Sequence, residues 1–157
     1  MHNQLRKIFT RMGGTYLLGN KVYTGEIKDG KLEYILTTNL DDERLYAREF
    51  VLATGSFQSD GLQSNFEKVY EPIFNLDVDY IQERTLWTKE DIFQAQPFMA
   101  FGVHTDAELR CSKEGNLITN LYAVGSVLSG HNPIKQSDGT GVSILTALAA
   151  AEHILNR

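Results

Sequence analysis

Apolar positions fall into three regimes along this chain. From Asn3 to Met12 they recur at Leu5, Ile8, Phe9 and Met12, the i, i+3, i+4, i+7 spacing of one helix face, with Arg6, Lys7 and Arg11 elsewhere on the wheel. Gly13-Gly14 follows and supplies a stop, because glycine takes the left-handed conformation of a helix cap at no steric cost. The spacing predicts an amphipathic helix of about three turns. The period then drops to two. Thr15 to Leu18 reads as a short strand, and Lys21 to Ile27 and Lys31 to Leu40 as two longer ones, the last with Leu32, Tyr34 and Leu36 on one face. Asp29-Gly30 between them is a hairpin signal, since both positions tolerate positive φ. Asp41 to Arg44 reads as a charged, solvated turn.

The third regime is uninterrupted apolar runs. Glu49-Phe-Val-Leu-Ala53 predicts a strand buried on both faces, the kind found in parallel sheets, and it stops at Thr54-Gly55-Ser56. Phe98 to Asp106 predicts a strand through Gly102. Leu109 to Asn120 turns at Glu114-Gly115-Asn116, and Leu121 to Val124 reads as the last buried strand, ending at Gly125-Ser126. Asp138-Gly139-Thr140-Gly141 marks the start of an alanine-rich closing helix, with Val142, Leu145, Leu148 and Ala149 directed toward a core. From 59 to 97 the pattern is weakest. Leu62, Phe66 and Val69 suggest a brief helix broken by Pro72, and Thr88 with Asp91 reads as a helix start. Tyr70, Phe74, Tyr80, Trp87 and Phe93 make this stretch aromatic; core packing is the first reading and a substrate or partner surface the second.

The 157 residues suffice for a single domain, in three parts: 1–58 (helix, hairpin layer and the strand ending at Ala53-Thr54-Gly55), 59–97 (aromatic excursion) and 98–157. A formal charge of -5 without a basic run excludes nucleic acid as a main partner. No apolar stretch reaches the roughly 18 residues of a membrane span, and the opening Met1-His-Asn-Gln-Leu-Arg-Lys lacks the apolar core of a signal peptide. Cys111 is the only cysteine, so no intrachain disulfide forms, and without a neighbouring His or Cys motif it reads as unreactive. The expectation is a cytoplasmic α/β domain.

Candidate chemistry sits where the apolar runs stop. A buried strand ending in small residues puts backbone and hydroxyl groups at a carboxyl edge, where open α/β sheets bind ligands. Thr54-Gly55, Gly102-Val103 and Gly125-Ser126 are three such ends. Gly139-Thr140-Gly141-Val142 opens a helix whose first N–H groups and dipole favour an anionic or acceptor-rich group. Taken alone, Ala-Thr-Gly is equally a tight turn that needs Gly55.

In this order the pieces resemble the flavin-binding half of the two-dinucleotide-binding-domain flavoproteins: Ala53-Thr54-Gly55, Gly102-Val103 with Thr105-Asp106, Leu121-Tyr-Ala-Val-Gly125, and Gly139-Thr-Gly-Val142. The resemblance narrows to the B-subunit family of anaerobic glycerol-3-phosphate dehydrogenases through Val51-Leu-Ala-Thr-Gly-Ser-Phe57, Glu71-Pro-Ile-Phe-Asn-Leu-Asp-Val78, Gln96-Pro97, Ala123-Val-Gly-Ser-Val-Leu128 and Asn132-Pro-Ile134. It implies a Rossmann-like fold with an added antiparallel β layer and a cofactor site at Thr54, Gly55, Gly102, Val103, Gly125, Ser126, Gly139, Thr140, Gly141 and Val142. The implied cofactor is FMN, with FAD as alternative. The implied reaction oxidises sn-glycerol 3-phosphate to dihydroxyacetone phosphate, with electrons passing to quinone. The implied partners are a second flavoprotein subunit and an iron–sulfur subunit at the inner face of the cytoplasmic membrane.

Two features depart from the superfamily. Ser126 stands where many relatives have a carboxylate for a ribityl hydroxyl, and an uncharged partner binds more weakly. No Gly-x-Gly-x-x-Gly follows an N-terminal strand, so the chain is expected to be the C-terminal part of a longer subunit with Met1 a truncated start, not holding flavin by itself and open to self-association. His104 and His131 are candidate bases and Lys135 a candidate cation for the phosphate. A non-catalytic α/β assembly module, in which the glycines only make turns, is the competing reading. A dicarboxylate reductase is a third, disfavoured because Arg84 and Arg110 are the only arginines between 60 and 140.

Overall fold

A computed structural model describes residues 2–157; Met1 and the side chains of His2, Pro133 and Ile134 lie outside the described set. Helix α1 (His2–Arg11) ends as its sequence predicts. The N–H of Gly13 (φ +90°) bonds to the Thr10 carbonyl and that of Gly14 to the Phe9 carbonyl, the paired bonds of a left-handed cap. Its apolar face is exposed, with Met12 at 83%. Thr15 to Leu18 forms no strand; the segment is irregular and solvent-facing.

Strands β1 (Val22–Lys28) and β2 (Lys31–Thr37) form the expected hairpin. Asp29 (φ 51°) and Gly30 (φ 73°) both take the left-handed conformation that matches the strands' twist. β3 (Leu45–Tyr46) completes this antiparallel layer, and Arg44 in the charged turn lies over the Tyr34 ring at 4.6 Å. β4 (Phe50–Leu52) is shorter than its apolar run and covered on one face only: Phe50 and Leu52 are buried while Val51 is 51% exposed. The physical reason is its place at the edge of its sheet, without a layer over its outer face among the described residues.

The middle segment departs most from expectation. Residues 62–70 make a small hairpin, β5 (Gln63–Ser64) and β6 (Val69–Tyr70), in place of a helix. Asn65 Oδ1 accepts the N–H groups of Glu67 and Lys68, and this local turn competes successfully with a helix. No helix starts at Thr88. Asp91 instead accepts the Phe93 N–H, and Gln96 binds the chain at Lys89, Asp91 and Gln94. The aromatic residues divide: Trp87 and Phe101 pack edge-to-face at 5.8 Å with Tyr80 against them, whereas Phe93 is 96% exposed.

β7 (Val78–Asp79) pairs with β8 (Gly102–Val103), which is only two residues of the strand expected through 98–106. β9 (Arg110–Lys113) and β10 (Asn116–Ala123) form a second hairpin around Glu114-Gly115, and β10 pairs in parallel with β4, Leu121 opposite Phe50. The main core lies between the two three-stranded sheets and includes Leu32, Phe50, Leu52, Val103, Ile118 and Leu121. After the short helix α2 (Pro133–Gln136), helix α3 (Gly139–Leu155) packs its inward stripe on Tyr122 and Val124, with Ala150 at the contact. Leu145 and Leu148, expected to face a core, point away from it: small Thr146, Ala149 and Ala150 fit the close approach to β10, and the leucines fall on the opposite side of the wheel. The result is the expected mixed α/β domain with an added antiparallel layer, its parallel pairing formed by β4 with β10 and by a single bridge between Val103 and Leu128.

Candidate functional site

β4 and β10 end side by side, tied by the Val124 N–H to the Leu52 carbonyl at 3.0 Å. At the first end, Gly55 has φ +80°; a Cβ there would stand 2.7 Å from the Ser59 hydroxyl and 3.6 Å from that of Ser126, so the two strand ends adjoin. Gly61 packs so closely on this turn that a Cβ would overlap the Gly55 carbonyl. Thr54 Oγ1 is buried without a hydrogen-bond partner among the described residues. It borders a cleft of about 440 Å³ lined also by Asn20, Lys21, Ser59, Asp60 and Ile73.

At the second end, Gly125 has φ +75° and its N–H donates to Thr146 Oγ1 at 2.9 Å, which itself donates to the Val142 carbonyl at 2.7 Å. Ser143 Oγ donates to the Gly139 carbonyl and lies 3.3 Å from where a Gly125 Cβ would stand. The start of α3 is thus docked on the end of β10. Asp138, at the capping position, makes no side-chain bond to the helix; its Oδ1 pairs with His131 Nε2 at 2.7 Å. The first N–H groups of a helix precede its internal ladder, and nothing lies within 4 Å of where a Gly141 Cβ would be.

Of the residues singled out from sequence, Thr54, Gly55, Gly125, Ser126 and the stretch 139–142 come together here. Gly102 and Val103 do not. Val103 is fully buried in the main core, and a Gly102 Cβ would lie 2.3 Å from the Leu128 and Ser129 backbone. The lack of a side chain at 102 serves close backbone packing, which holds the segment leading out of Ser126.

The candidate bases lie apart from each other. His104 Nδ1 is 3.1 Å from both Asp79 carboxylate oxygens, and the Ser129 hydroxyl donates to the same carboxylate at 2.6 Å. Its ring is half exposed beside a cleft of about 340 Å³ that also takes in Asp77, Asp106 and Arg110. Arg110 is already paired with Asp106 at 2.7 Å and Glu108 at 3.1 Å. His131 is mostly buried. Lys135 is exposed on a separate cleft of about 410 Å³ with Gln94, Gln96 and Asn132. Asp79 escaped the sequence reading; its only signal is a position opposite Gly102, visible once the strands are paired. Burial pushes the Cys111 thiol far above its ordinary range. Glu71, fully buried, accepts the N–H groups of Ile73 and Phe74; burial raises its carboxyl against the pull of those bonds, and its role is to hold the turn after Pro72.

The donor set at the paired strand ends suits a flavin: an orphaned hydroxyl at Thr54, a second hydroxyl at Ser126, two left-handed glycines that admit a ligand close to backbone, and an uncapped helix start. The sequence profile of the FAD binding domain family matches residues 1–142, and the chain belongs to that family. Within it, the chain is similar to the B-subunit of anaerobic glycerol-3-phosphate dehydrogenase. It is 40% identical over 156 residues to that of Yersinia pseudotuberculosis serotype I (strain IP32953), a match covering 99% of this chain and 37% of the relative. It is 44% identical over 154 residues to that of Vibrio vulnificus (strain CMCP6), covering 96% of this chain and 35% of the relative. The corresponding protein of Aliivibrio fischeri (strain MJ11) is 39% identical over 169 residues, covering all of this chain and 37% of the relative. The chain therefore spans a little over a third of the length of these relatives. No solved structure matches the chain.

Proposed function

We propose that this chain forms the flavin-edge part of a dehydrogenase subunit that oxidises sn-glycerol 3-phosphate to dihydroxyacetone phosphate and passes the electrons to a quinone. The names of its relatives and its membership of an FAD-binding family support the reading. The observation that carries it is that the Thr54-Gly55 turn, with its unpartnered buried hydroxyl, adjoins Ser126, while the neighbouring Gly125 is docked on the start of α3. Thr54, Gly55, Gly125, Ser126, Gly139, Thr140, Gly141 and Val142 would hold the cofactor, with Gly102 and Val103 supporting the floor beneath. When bound, the flavin supplies a hydride acceptor. The positive end of α3 favours negative charge beside residues 139–142. FMN follows from the resemblance, and FAD is the alternative that the family's name favours.

Electrostatics orders the other groups. The cleft beside His104 carries Asp77 and Asp106 against a single, already paired Arg110, so a phosphate dianion is repelled there. Lys135, near the Asp138-held His131 in the chain, is the better phosphate contact, and His131 the proposed base. The chain alone does not retain flavin; it acts with further subunits, a second flavoprotein and an iron–sulfur protein, through which it reaches the inner face of the cytoplasmic membrane. No helix among the described residues is long and apolar enough to cross a membrane.

The test is assembly of the chain into the complete enzyme, followed by anaerobic addition of sn-glycerol 3-phosphate. Bleaching of a flavin band is expected, with Thr54→Val lowering flavin content. A complete assembly whose flavin content is no more than that of the second flavoprotein subunit by itself, and is unmoved by Thr54→Val, would favour the competing view that the glycines only make turns.

A further inference from the structure

Helix α3 is apolar on every side. Its inward stripe meets Tyr122 and Val124, yet on the opposite side Ile144, Leu145 and Leu148 are 54%, 68% and 59% exposed. From Gly139 to Asn156 the only Asp, Glu, Lys or Arg is Glu152. A helix that is apolar all round is a buried helix. Beside it, β4 is the edge of its sheet, and Val51, in register with Tyr122 and therefore on the same face, is 51% exposed. Parallel strands occur with both faces covered; α3 covers β10 and leaves β4 open.

We propose that the outer face of α3 and the open edge of β4 are a permanent docking surface for the complementary part of a flavoprotein chain of the B-subunit type, whether that part is joined to this chain or separate from it. Three observations select this occupant. The relatives carry well over half their length outside the match, so a polypeptide of that kind and size exists for the fold. β4 already pairs in parallel with β10, and its other edge has no strand beside it among the described residues, which suits another strand of the same sheet. The near absence of charge is the composition of an obligate interface rather than a transient one. The inference rests on the flavoprotein reading above and supplies the partner it needs.

The experiment expresses this full chain together with the unmatched portion of the Yersinia pseudotuberculosis relative as a separate polypeptide. Equimolar co-elution is expected, with the double variant Leu145→Glu, Leu148→Glu weakening association at least about tenfold. Both side chains are exposed, so circular dichroism of the variant should match the parent. Phe93→Glu, on an exposed residue outside this surface, should leave association unchanged. Failure to co-elute, association indifferent to the double variant, or a self-dimer of this chain dissolved by it while the added portion stays unbound would each overturn the proposal. A complex without flavin leaves the docking surface standing and removes the flavin reading; flavin held by this chain alone, with no complex, does the reverse.

Discussion

Replacing Asn120 by alanine removes an amide that stands in for a peptide unit between the two sheets. Asn120 is 7% exposed; its Oδ1 accepts the Leu32 N–H at 2.8 Å, and its Nδ2 donates to the Leu32 carbonyl at 2.9 Å and the Arg48 carbonyl at 3.2 Å. Leu32 is 1% exposed, so water does not replace the lost partner readily. The two Leu32 groups left orphaned, at about 1–3 kcal/mol each, give a loss of about 2–6 kcal/mol, the carbonyl of exposed Arg48 being open to water, and partial relaxation places the expected value near about 3 kcal/mol. At about 2–4 °C per kcal/mol for a chain of this size, Tm falls by about 6–12 °C. Urea unfolding followed by the fluorescence of buried Trp87 is the assay, with a lower midpoint and an unchanged slope as the expected pattern. Asn120→Asp keeps the acceptor for the Leu32 N–H but loses both donors and buries a charge. It should be at least as damaging at neutral pH and partly relieved by acid, when the carboxyl regains a proton to donate. A loss below about 1 kcal/mol for the alanine variant would refute the reasoning and leave apolar packing and the Thr119-to-Gly30 hydrogen bonds as the ties between the layers.

Gly125→Ala forces a left-handed alanine, at about 1–2 kcal/mol, with its methyl 3.3 Å from Ser143 Oγ; thermal unfolding should show the loss, and flavin content of the assembled enzyme should fall with it. Gly102→Ala sets a Cβ 2.3 Å from backbone that cannot move independently, so a loss at or beyond about 3 kcal/mol, read by soluble yield and denaturant midpoint, is expected. Burial alone would raise the Asp77 carboxyl, but the Ser112 hydroxyl and the N–H groups of Gly115 and Glu114 outweigh it and hold the group below the ordinary aspartate value. Its contribution is therefore present above that value and lost as pH falls through the lower folded one; Asp77→Asn should flatten the acid limb of stability against pH below about pH 4, and an unchanged limb would count against the assignment. Cys111, 0% exposed with its thiol pushed up by burial, should react with a thiol reagent only at the rate of global unfolding.

The features that sequence revealed are those set by near neighbours. Asp29-Gly30 and Glu114-Gly115 announce hairpins because positive φ is a property of the residues themselves, and Gly13-Gly14 closes α1 for the same reason. The paired ends at Gly55 and Gly125-Ser126 were legible as small residues stopping apolar runs. What escaped depends on distant partners. The 62–70 hairpin rests on Asn65 capturing two N–H groups, a choice that apolar spacing does not encode. Leu145 and Leu148 fit a core-facing helix by hydrophobicity, but small residues won the inner side because β10 approaches closely. Val51 read as buried because an apolar run carries no record of which face is covered. Asp79 beside His104 became visible only through the pairing of β7 with β8.

The parallel pairing of β4 with β10 has a consequence for how the protein comes into being. Phe50 and Leu121 are neighbours across this pair, with residues 53–115 looped out between the strands. The hairpins β1–β2 and β9–β10 are local and close within about 1–10 μs, whereas the parallel pair waits for that long loop to return. The meeting of the Gly55 and Ser126 strand ends therefore waits for this pair to close. During synthesis, Phe50 and Leu52 leave the ribosome well before the strand that shelters them, so the apolar segment leading to the proposed cofactor site stays open to wrong contacts until β10 follows.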